Sequence, residues 1–172
     1  MQQHKDTSIV WFKNDLRSQD NNILNSALMS SNRVIGVYFL DPKLFETTKY
    51  GFKKMDRYRA RFLLETLHCL KQELNKLNIS LLVFITAPEH KMSSLVTSFD
   101  VDSIFLQKEW TAEEQLSLEK VKNVLPKGIK IQEIYDQFLF DLEDVPFDAH
   151  ETPVVFTQFR KLLEKKSKVK PL

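Results

Sequence analysis

The chain has 172 residues, of which 42% are hydrophobic and 11% aromatic, and this is enough for one well-buried core. Its 25 basic and 23 acidic residues give a net charge of +2. Because the charge is so nearly balanced, the surface as a whole is not that of a polyanion-binding protein, and any affinity for nucleic acid has to be local.

Short apolar runs rich in β-branched and aromatic residues predict five β-strands. They cover residues 8–12, 34–40, 80–85, 103–106 and 129–134 and are separated by segments with helical spacing. Such alternation favours parallel strands joined by right-handed crossovers. The predicted fold class is therefore α/β, a Rossmann-like three-layer α/β/α arrangement with a five-stranded, mainly parallel sheet in the order 3-2-1-4-5.

Helices are predicted between these strands at residues 21–29, 55–77, 88–99 and 112–124. Pro88 falls in the first turn of the third helix, and Thr111 with Glu114 forms a capping box that begins the fourth. The second helix is expected to pack on the sheet through one apolar stripe, made of Tyr58, Phe62, Leu63, Leu67, Leu70, Leu74 and Leu77.

The alternation ends after the fifth strand. Residues 136–153 mix apolar and acidic side chains with two prolines, which predicts an extended segment, and residues 156–165 predict a short helix. A basic tail follows with Lys165, Lys166, Lys168 and Lys170. We expect an α/β domain at residues 8–135, and at residues 136–172 an extended linker with the start of a further domain that the natural chain continues into.

Several kinds of site are excluded by what the sequence lacks. Three glycines cannot supply a GxGxxG or Walker-type loop, and no serine has a plausible base and orienting group. The four histidines lack metal-ligand spacing, and Cys69 is the only cysteine, so we expect no metal site and no disulfide. With no signal peptide and no apolar run of about 20 residues, a soluble, cytoplasmic protein without a membrane span is expected.

Three loops at the carboxyl ends of predicted strands are candidate sites, because ligands of open α/β sheets gather there. Residues 13–20 form either a functional loop or a structural knot of ion pairs, and the residues alone leave both open. Glu109 follows the fourth strand, which neighbours the first in the predicted order. Residues 45–54 combine aromatic rings with lysines, which suits either a flat anionic ligand or packing on the sheet edge.

These residues carry a family resemblance. The run Trp11-Phe12-Lys13-Asn14-Asp15-Leu16-Arg17 resembles the N-terminal signature of the photolyase/cryptochrome family, although Lys13 stands where the family usually has arginine. Further segments are similar to its DASH cryptochrome branch: Gly51-Phe52-Lys53-Lys54, Tyr58-Arg59-Ala60-Arg61-Phe62-Leu63-Leu64-Glu65, Gln107-Lys108-Glu109 with Glu113-Glu114, Asp144-Val145-Pro146-Phe147 and Val155-Phe156-Thr157-Gln158-Phe159-Arg160-Lys161. The resemblance covers residues 8–161.

The resemblance implies an α/β domain that carries a light-harvesting antenna, methenyltetrahydrofolate in DASH proteins. It also implies a helical domain that binds FAD and, through light-driven electron transfer, repairs cyclobutane pyrimidine dimers in single-stranded DNA. The helical domain is not in this sequence, so the chain alone is expected to be inactive in repair and to contain no catalytic residue. Its implied partners are the helical domain in cis and, through that domain, DNA.

The resemblance also implies the antenna site. Glu109 matches the family's folate contact and is expected to accept hydrogen bonds from the N–H groups of the pterin. The other expected site residues are Lys108, Tyr38, Phe39, Tyr50 and Phe52. An alternative from another class stays open: a stand-alone interaction module without chromophore, pairing with itself or another protein through the apolar linker residues Phe140, Phe147 and Phe156.

Overall fold

The central sheet of the computed structural model, which describes residues 6–140 and 142–169, is parallel throughout. Within those residues it contains five strands in the order 3-2-1-4-5. They are β1 (Thr7–Phe12), β2 (Arg33–Phe39), β3 (Ser80–Phe84), β4 (Val101–Gln107) and β5 (Lys130–Ile134). The predicted fold class and strand order are confirmed.

Helices follow the strands as the periodicity indicates. They are α1 (Asn22–Ser30), α2 (Arg57–Lys76), α3 (Met92–Phe99), α4 (Ala112–Val124) and, after the sheet, α5 (Phe156–Lys166). α4 begins at the predicted N-cap, where Thr111 Oγ1 accepts from the N–H of Glu114 at 3.4 Å and donates to Glu114 Oε2 at 2.8 Å. α3 is shorter than predicted, because a 3-10 turn at Pro88–His90 precedes it and Lys91 breaks the helical backbone with φ −128°.

The core lies on both faces of the sheet because side chains alternate along each strand. On β1, Val10 and Phe12 enter one apolar cluster together with α1 and α2, while Ile9 and Trp11 enter the other together with α3 and α4. All six residues of β1 are buried. The loop that leaves β1 therefore starts from a rigid, fully covered strand.

The predicted stripe of α2 is partly wrong. Leu63, Leu67, Leu70 and Leu74 are buried, but Tyr58 is 79% exposed and Phe62 is 70% exposed. At 3.6 residues per turn, Phe62 lies about 100° and Tyr58 roughly 140° around the helix from Leu63. Their rings thus fall outside the narrow stripe that reaches the sheet, and half-exposed Leu77 lies just past the helix end.

The chain divides into two compact units, Met1–Ile134 and Tyr135–Leu172. The second unit contains 3-10 turns at Leu142–Asp144 and Ala149–Glu151 within the segment predicted to be extended. Inside it the ring centroids of Phe147 and Phe159 lie 5.6 Å apart. Lys170 of the predicted basic tail lies outside the described residues. Among those that are described, no helix is long and apolar enough to cross a membrane.

Candidate functional site

Two loops meet at the carboxyl edge of the sheet because their strands are neighbours. β1 pairs with β4 in parallel register, with Trp11 opposite Leu106. Two residues beyond this pair, β1 delivers Lys13, and three residues beyond it β4 delivers Glu109. Glu109 is only 7% exposed. A carboxylate that is so deeply buried needs cationic or hydrogen-bonding neighbours.

Lys13 supplies the positive charge beside Glu109. Burial lowers the pKa of the Lys13 ammonium, while nearby carboxylates oppose the shift, in decreasing order those of Glu109, Glu114, Glu133 and Asp15. Its Nζ also lies 4.7 Å from the centre of the Trp11 ring. The ammonium thus lies over an aromatic face and interacts electrostatically with several carboxylates, of which Glu109 raises its pKa most.

Gln107 contacts the same carboxylate. It is the last residue of β4, it is buried, and its Nε2 donates to Glu109 Oε1 at 3.4 Å. A glutamine directly after the apolar run 103–106 is the sequence signal that could have identified it. The pair forms a small polar group at the point where β4 leaves the sheet.

Asp15 stabilises the loop after β1 through hydrogen bonds. Its Oδ1 accepts from the N–H of Lys13 at 2.9 Å, and its backbone oxygen accepts from Arg17 N–H at 2.7 Å and from Asn21 Nδ2 at 3.3 Å. Asp15 is 1% exposed, and burial raises the pKa of its carboxyl. These bonds hold the backbone that carries Lys13 toward Glu109.

A cavity of about 200 Å³ opens beside Lys13 at the ends of β1 and β2. Its lining includes Trp11, Phe12, Lys13, Tyr38 and Phe39. Tyr38 and Phe39 are buried and belong to opposite faces of the sheet. The cavity therefore reaches both faces at the carboxyl ends of β1 and β2. Burial also raises the pKa of the Tyr38 hydroxyl, which stays protonated and can donate a hydrogen bond at neutral pH.

A larger groove of about 400 Å³ continues between the segment after β2 and helix α4. It shares Asp41, Leu44 and Ser117 with the first cavity. Its charges are mixed, since Lys54 pairs with Glu113 and Lys120 lies 3.6 Å from Glu89. A hydrogen bond also connects the start of α4 to the loop after β1, since Asn14 Nδ2 donates to Glu114 Oε1 at 3.2 Å.

The remaining predicted site residues lie elsewhere on the surface. Tyr50 and Phe52 are exposed and stack with ring centroids 6.2 Å apart on either side of Gly51, whose φ is +82°. Neither ring lines the two cavities just described. Lys108 is exposed, with its Nζ 5.2 Å from the centre of the Trp110 ring and its N–H bonded to Ile134 O at 2.8 Å. A role for Tyr50, Phe52 and Lys108 in binding stays a prediction.

Comparison with known proteins gives consistent matches. The family profile described as DNA photolyase matches residues 8–172. The chain is 37% identical to the cryptochrome DASH, chloroplastic/mitochondrial, of Solanum lycopersicum, covering 96% of this chain and 32% of that protein. It is 34% identical to the cryptochrome DASH of Gloeobacter violaceus, covering 96% and 33%. The chain thus spans about a third of the length of these curated relatives.

Solved structures agree with the sequence matches. A cryptochrome from Synechocystis superposes with a TM-score of 0.88 at 33% identity, covering 98% of this chain and 35% of that one. The photolyase of Sulfolobus tokodaii, solved with two FAD molecules, superposes with a TM-score of 0.73 at 29% identity, covering 95% and 36%.

Proposed function

This chain belongs to the DNA photolyase family, and we propose that it is the light-harvesting α/β domain of a DASH-type cryptochrome/photolyase, with methenyltetrahydrofolate as its antenna chromophore. The observation that carries the proposal is the buried carboxylate of Glu109 at the carboxyl end of β4. Lys13 interacts electrostatically with this carboxylate and lines the neighbouring cavity. A polar anchor and an aromatic cavity therefore lie at one edge of the sheet.

The chemistry of these side chains fits a pterin. An ionised carboxylate has about four lone-pair directions and only accepts, whereas the pterin edge offers N–H donors. Glu109 would accept from that edge, Tyr38 and Phe39 would supply apolar and aromatic contact, and Lys108 would stand beside the anchor. When bound, folate supplies absorption of near-ultraviolet light. The residues of this chain orient it, and Lys13 places a positive charge near the anchoring carboxylate.

The activity of a longer protein is part of the same proposal. The curated relatives are about three times as long as the matched region, which supports a helical FAD-binding domain in cis. In that protein residues 8–135 would be the antenna domain and residues 136–172 the linker and start of the helical domain. Repair of pyrimidine dimers in DNA would belong to the helical domain. The exposed thiol of Cys69 suits a reducing compartment such as the cytoplasm.

A titration with methenyltetrahydrofolate tests the antenna proposal. Absorbance and fluorescence in the near ultraviolet are expected to saturate with the purified chain, and Glu109→Gln is expected to weaken binding about tenfold or more, because a charge-assisted acceptor becomes a neutral amide. Glu119→Gln is the matched control. It removes the same charge from the exposed side of α4, where Glu119 pairs with Lys122, and it should bind as the parent chain does.

Two results would contradict the proposal. If the folded chain shows no saturable signal, the interaction-module alternative takes its place. If Glu109→Gln and Glu119→Gln bind equally well, folate binds elsewhere and Glu109 is not the anchor. Circular dichroism on each variant separates loss of binding from loss of fold.

A further inference from the structure

One stretch of the chain, residues 47–62, has a high local positive charge. It contains six basic residues and one acidic residue, so its net charge is +5, whereas that of the whole chain is +2. The basic residues are Lys49, Lys53, Lys54, Arg57, Arg59 and Arg61, all exposed, and the acidic residue is Asp56. A local concentration of cations attracts a polyanion even when the chain as a whole is nearly neutral.

Most of these cations are not neutralised by a neighbouring carboxylate. Lys54 pairs with Glu113, and Arg61 pairs with Glu65. In residues 6–140 and 142–169, no carboxylate forms an ion pair with the other four basic side chains, which are those of Lys49, Lys53, Arg57 and Arg59. Their charges are therefore available to an anionic partner.

The loop at residues 47–53 holds two aromatic rings in a fixed arrangement. The N–H and Oγ1 of Thr48 both donate to Phe52 O, at 2.8 and 2.7 Å, and Thr47 and Lys53 form an antiparallel bridge. Tyr50 and Phe52 stack within this loop, and both are more than half exposed. Phe52 thus presents to solvent a ring that Tyr50 supports.

Helix α2 adds two further rings beside this loop. Tyr58 and Phe62 are four residues apart, so they lie on one face of the helix, where both are more than two-thirds exposed. The first turn of α2 contacts the end of the loop, because Arg59 Nη1 donates to Lys54 O at 2.8 Å. Tyr58 follows Phe52 by six positions, which is at most about 21 Å of extended chain. The rings therefore lie within the span of a few nucleotides, and single-strand-binding sites cover roughly 4 to 16.

Rings and cations alternate on this surface. The Nζ of Lys49 lies 5.1 Å from the centre of the Tyr50 ring, and the guanidinium of Arg57 lies 5.2 Å from that of Tyr58. Bases and phosphates alternate in the same way along a single strand, and every base has a face on which an aromatic ring can stack. A lipid surface instead requires an apolar face separated from the charges, which rings placed beside cations do not form. The pattern therefore favours nucleic acid.

We propose that residues 47–62 bind single-stranded nucleic acid without sequence preference, with the exposed rings stacking on bases and the basic side chains contacting phosphates. This goes beyond the proposed function, in which DNA belongs to the helical domain, and it requires neither chromophore nor lesion. Contacts from four cations to phosphates give a salt dependence with a slope of about −2.8 in log–log form. Affinity should consequently fall about 50-fold between roughly 50 and 200 mM salt.

Fluorescence anisotropy of a labelled oligothymidylate of about 12 nucleotides, titrated with the 172-residue chain, tests the proposal. Binding should saturate and follow this salt dependence. Phe62→Leu should weaken it about fivefold or more, because leucine is apolar but cannot stack on a base. Phe156→Leu is the matched control, since Phe156 is a similarly exposed phenylalanine on another helix, α5, and this variant should bind as the parent chain does.

A second pair of variants tests the phosphate contacts separately. Lys53→Gln should reduce the salt slope by about 0.7, the value of one phosphate contact on a single strand. Lys71→Gln removes the same charge from an exposed position farther along α2 and should leave the slope unchanged. These two substitutions are at exposed sites, and circular dichroism verifies that each variant is folded. An oligouridylate of the same length compares RNA with DNA, and saturable binding of either one supports the proposal.

Three results would overturn it. The first is no saturable binding of either oligonucleotide at low salt. The second is equal weakening by Phe62→Leu and Phe156→Leu, or an equal change of slope in Lys53→Gln and Lys71→Gln, because the strand would then lie on another surface. The third is binding to vesicles that contain phosphatidylserine but not to the oligonucleotides, which would assign residues 47–62 to a membrane surface. None of these measurements uses folate, so they are independent of the antenna titration.

Discussion

Lys13 and Asp15 are two residues apart in the loop after β1 and have separate tasks. The Lys13 ammonium interacts electrostatically with Glu109 and with further carboxylates, whereas Asp15 bonds the backbone of its own loop. Both are charged groups removed from water, and burial shifts the pKa of each toward its neutral form. Burial thus removes hydration from both charged groups, and for Lys13 the attraction of nearby carboxylates, Glu109 foremost, partly offsets this loss.

Asp15→Asn should change how stability depends on pH. Burial raises the pKa of Asp15 above its ordinary value of 3.8. Protonation is therefore favoured in the folded state, and the associated stability is fully present below pH 3.8 and lost as pH rises through the folded pKa. Asparagine keeps an oxygen that can accept from the N–H of Lys13 and has no charge to bury.

Urea denaturation of both proteins from about pH 4 to about pH 7 measures this effect. The free energy of unfolding of the parent chain should fall relative to that of Asp15→Asn as pH rises, and the difference should level off above the folded pKa. Asp20→Asn serves as the control, since Asp20 is exposed in the same loop. A difference between parent and Asp15→Asn that does not vary with pH would contradict the assignment.

At the scale of elements, the start of α4 is the best test of local sequence signals. Thr111→Ala removes the oxygen that accepts from Glu114 N–H and leaves the helix without its cap. We expect a loss of about 1 kcal/mol in the free energy of unfolding, measured by urea denaturation. Thr97→Ala is the matched control, because Thr97 lies inside α3 and its hydroxyl only donates to Ser93 O. Equal effects of the two substitutions would show that the cap adds nothing.

The elements also show what can be predicted from sequence. Strands and helix starts depend on neighbouring residues, so β1, β2 and the capped start of α4 are close to their predicted bounds. The exposure of Phe62 could not be predicted in this way. It depends on how much of the α2 surface contacts the sheet, and that is set by the packing of the helix against other elements. Likewise the sequence places Glu109 just after β4, but its contact with Gln107 could not be predicted, because a bond between two side chains depends on their orientation after the strand ends.

At the scale of the whole molecule, strand order determines the candidate site. The order 3-2-1-4-5 makes β1 and β4 neighbours, although 88 residues separate Phe12 from Val101 between them. Lys13, Glu109, Tyr38 and Phe39 thereby lie at one edge of the sheet, and all of them belong to the unit Met1–Ile134. The same topology leaves β3 at a free edge, on the far side of β2 from that site.

A chain shortened to residues 1–134 should therefore fold and keep the candidate site. Both apolar clusters of the sheet are made of residues within this unit, so the thermal transition should stay cooperative. If folate binds the full chain, the shortened chain should bind it within about twofold, because its anchor and cavity residues are all retained. Differential scanning calorimetry measures the first expectation and the near-ultraviolet titration the second. A broad, non-cooperative transition would mean that residues 135–172 complete the core, and cooperative unfolding with lost binding would place part of the folate site in that segment.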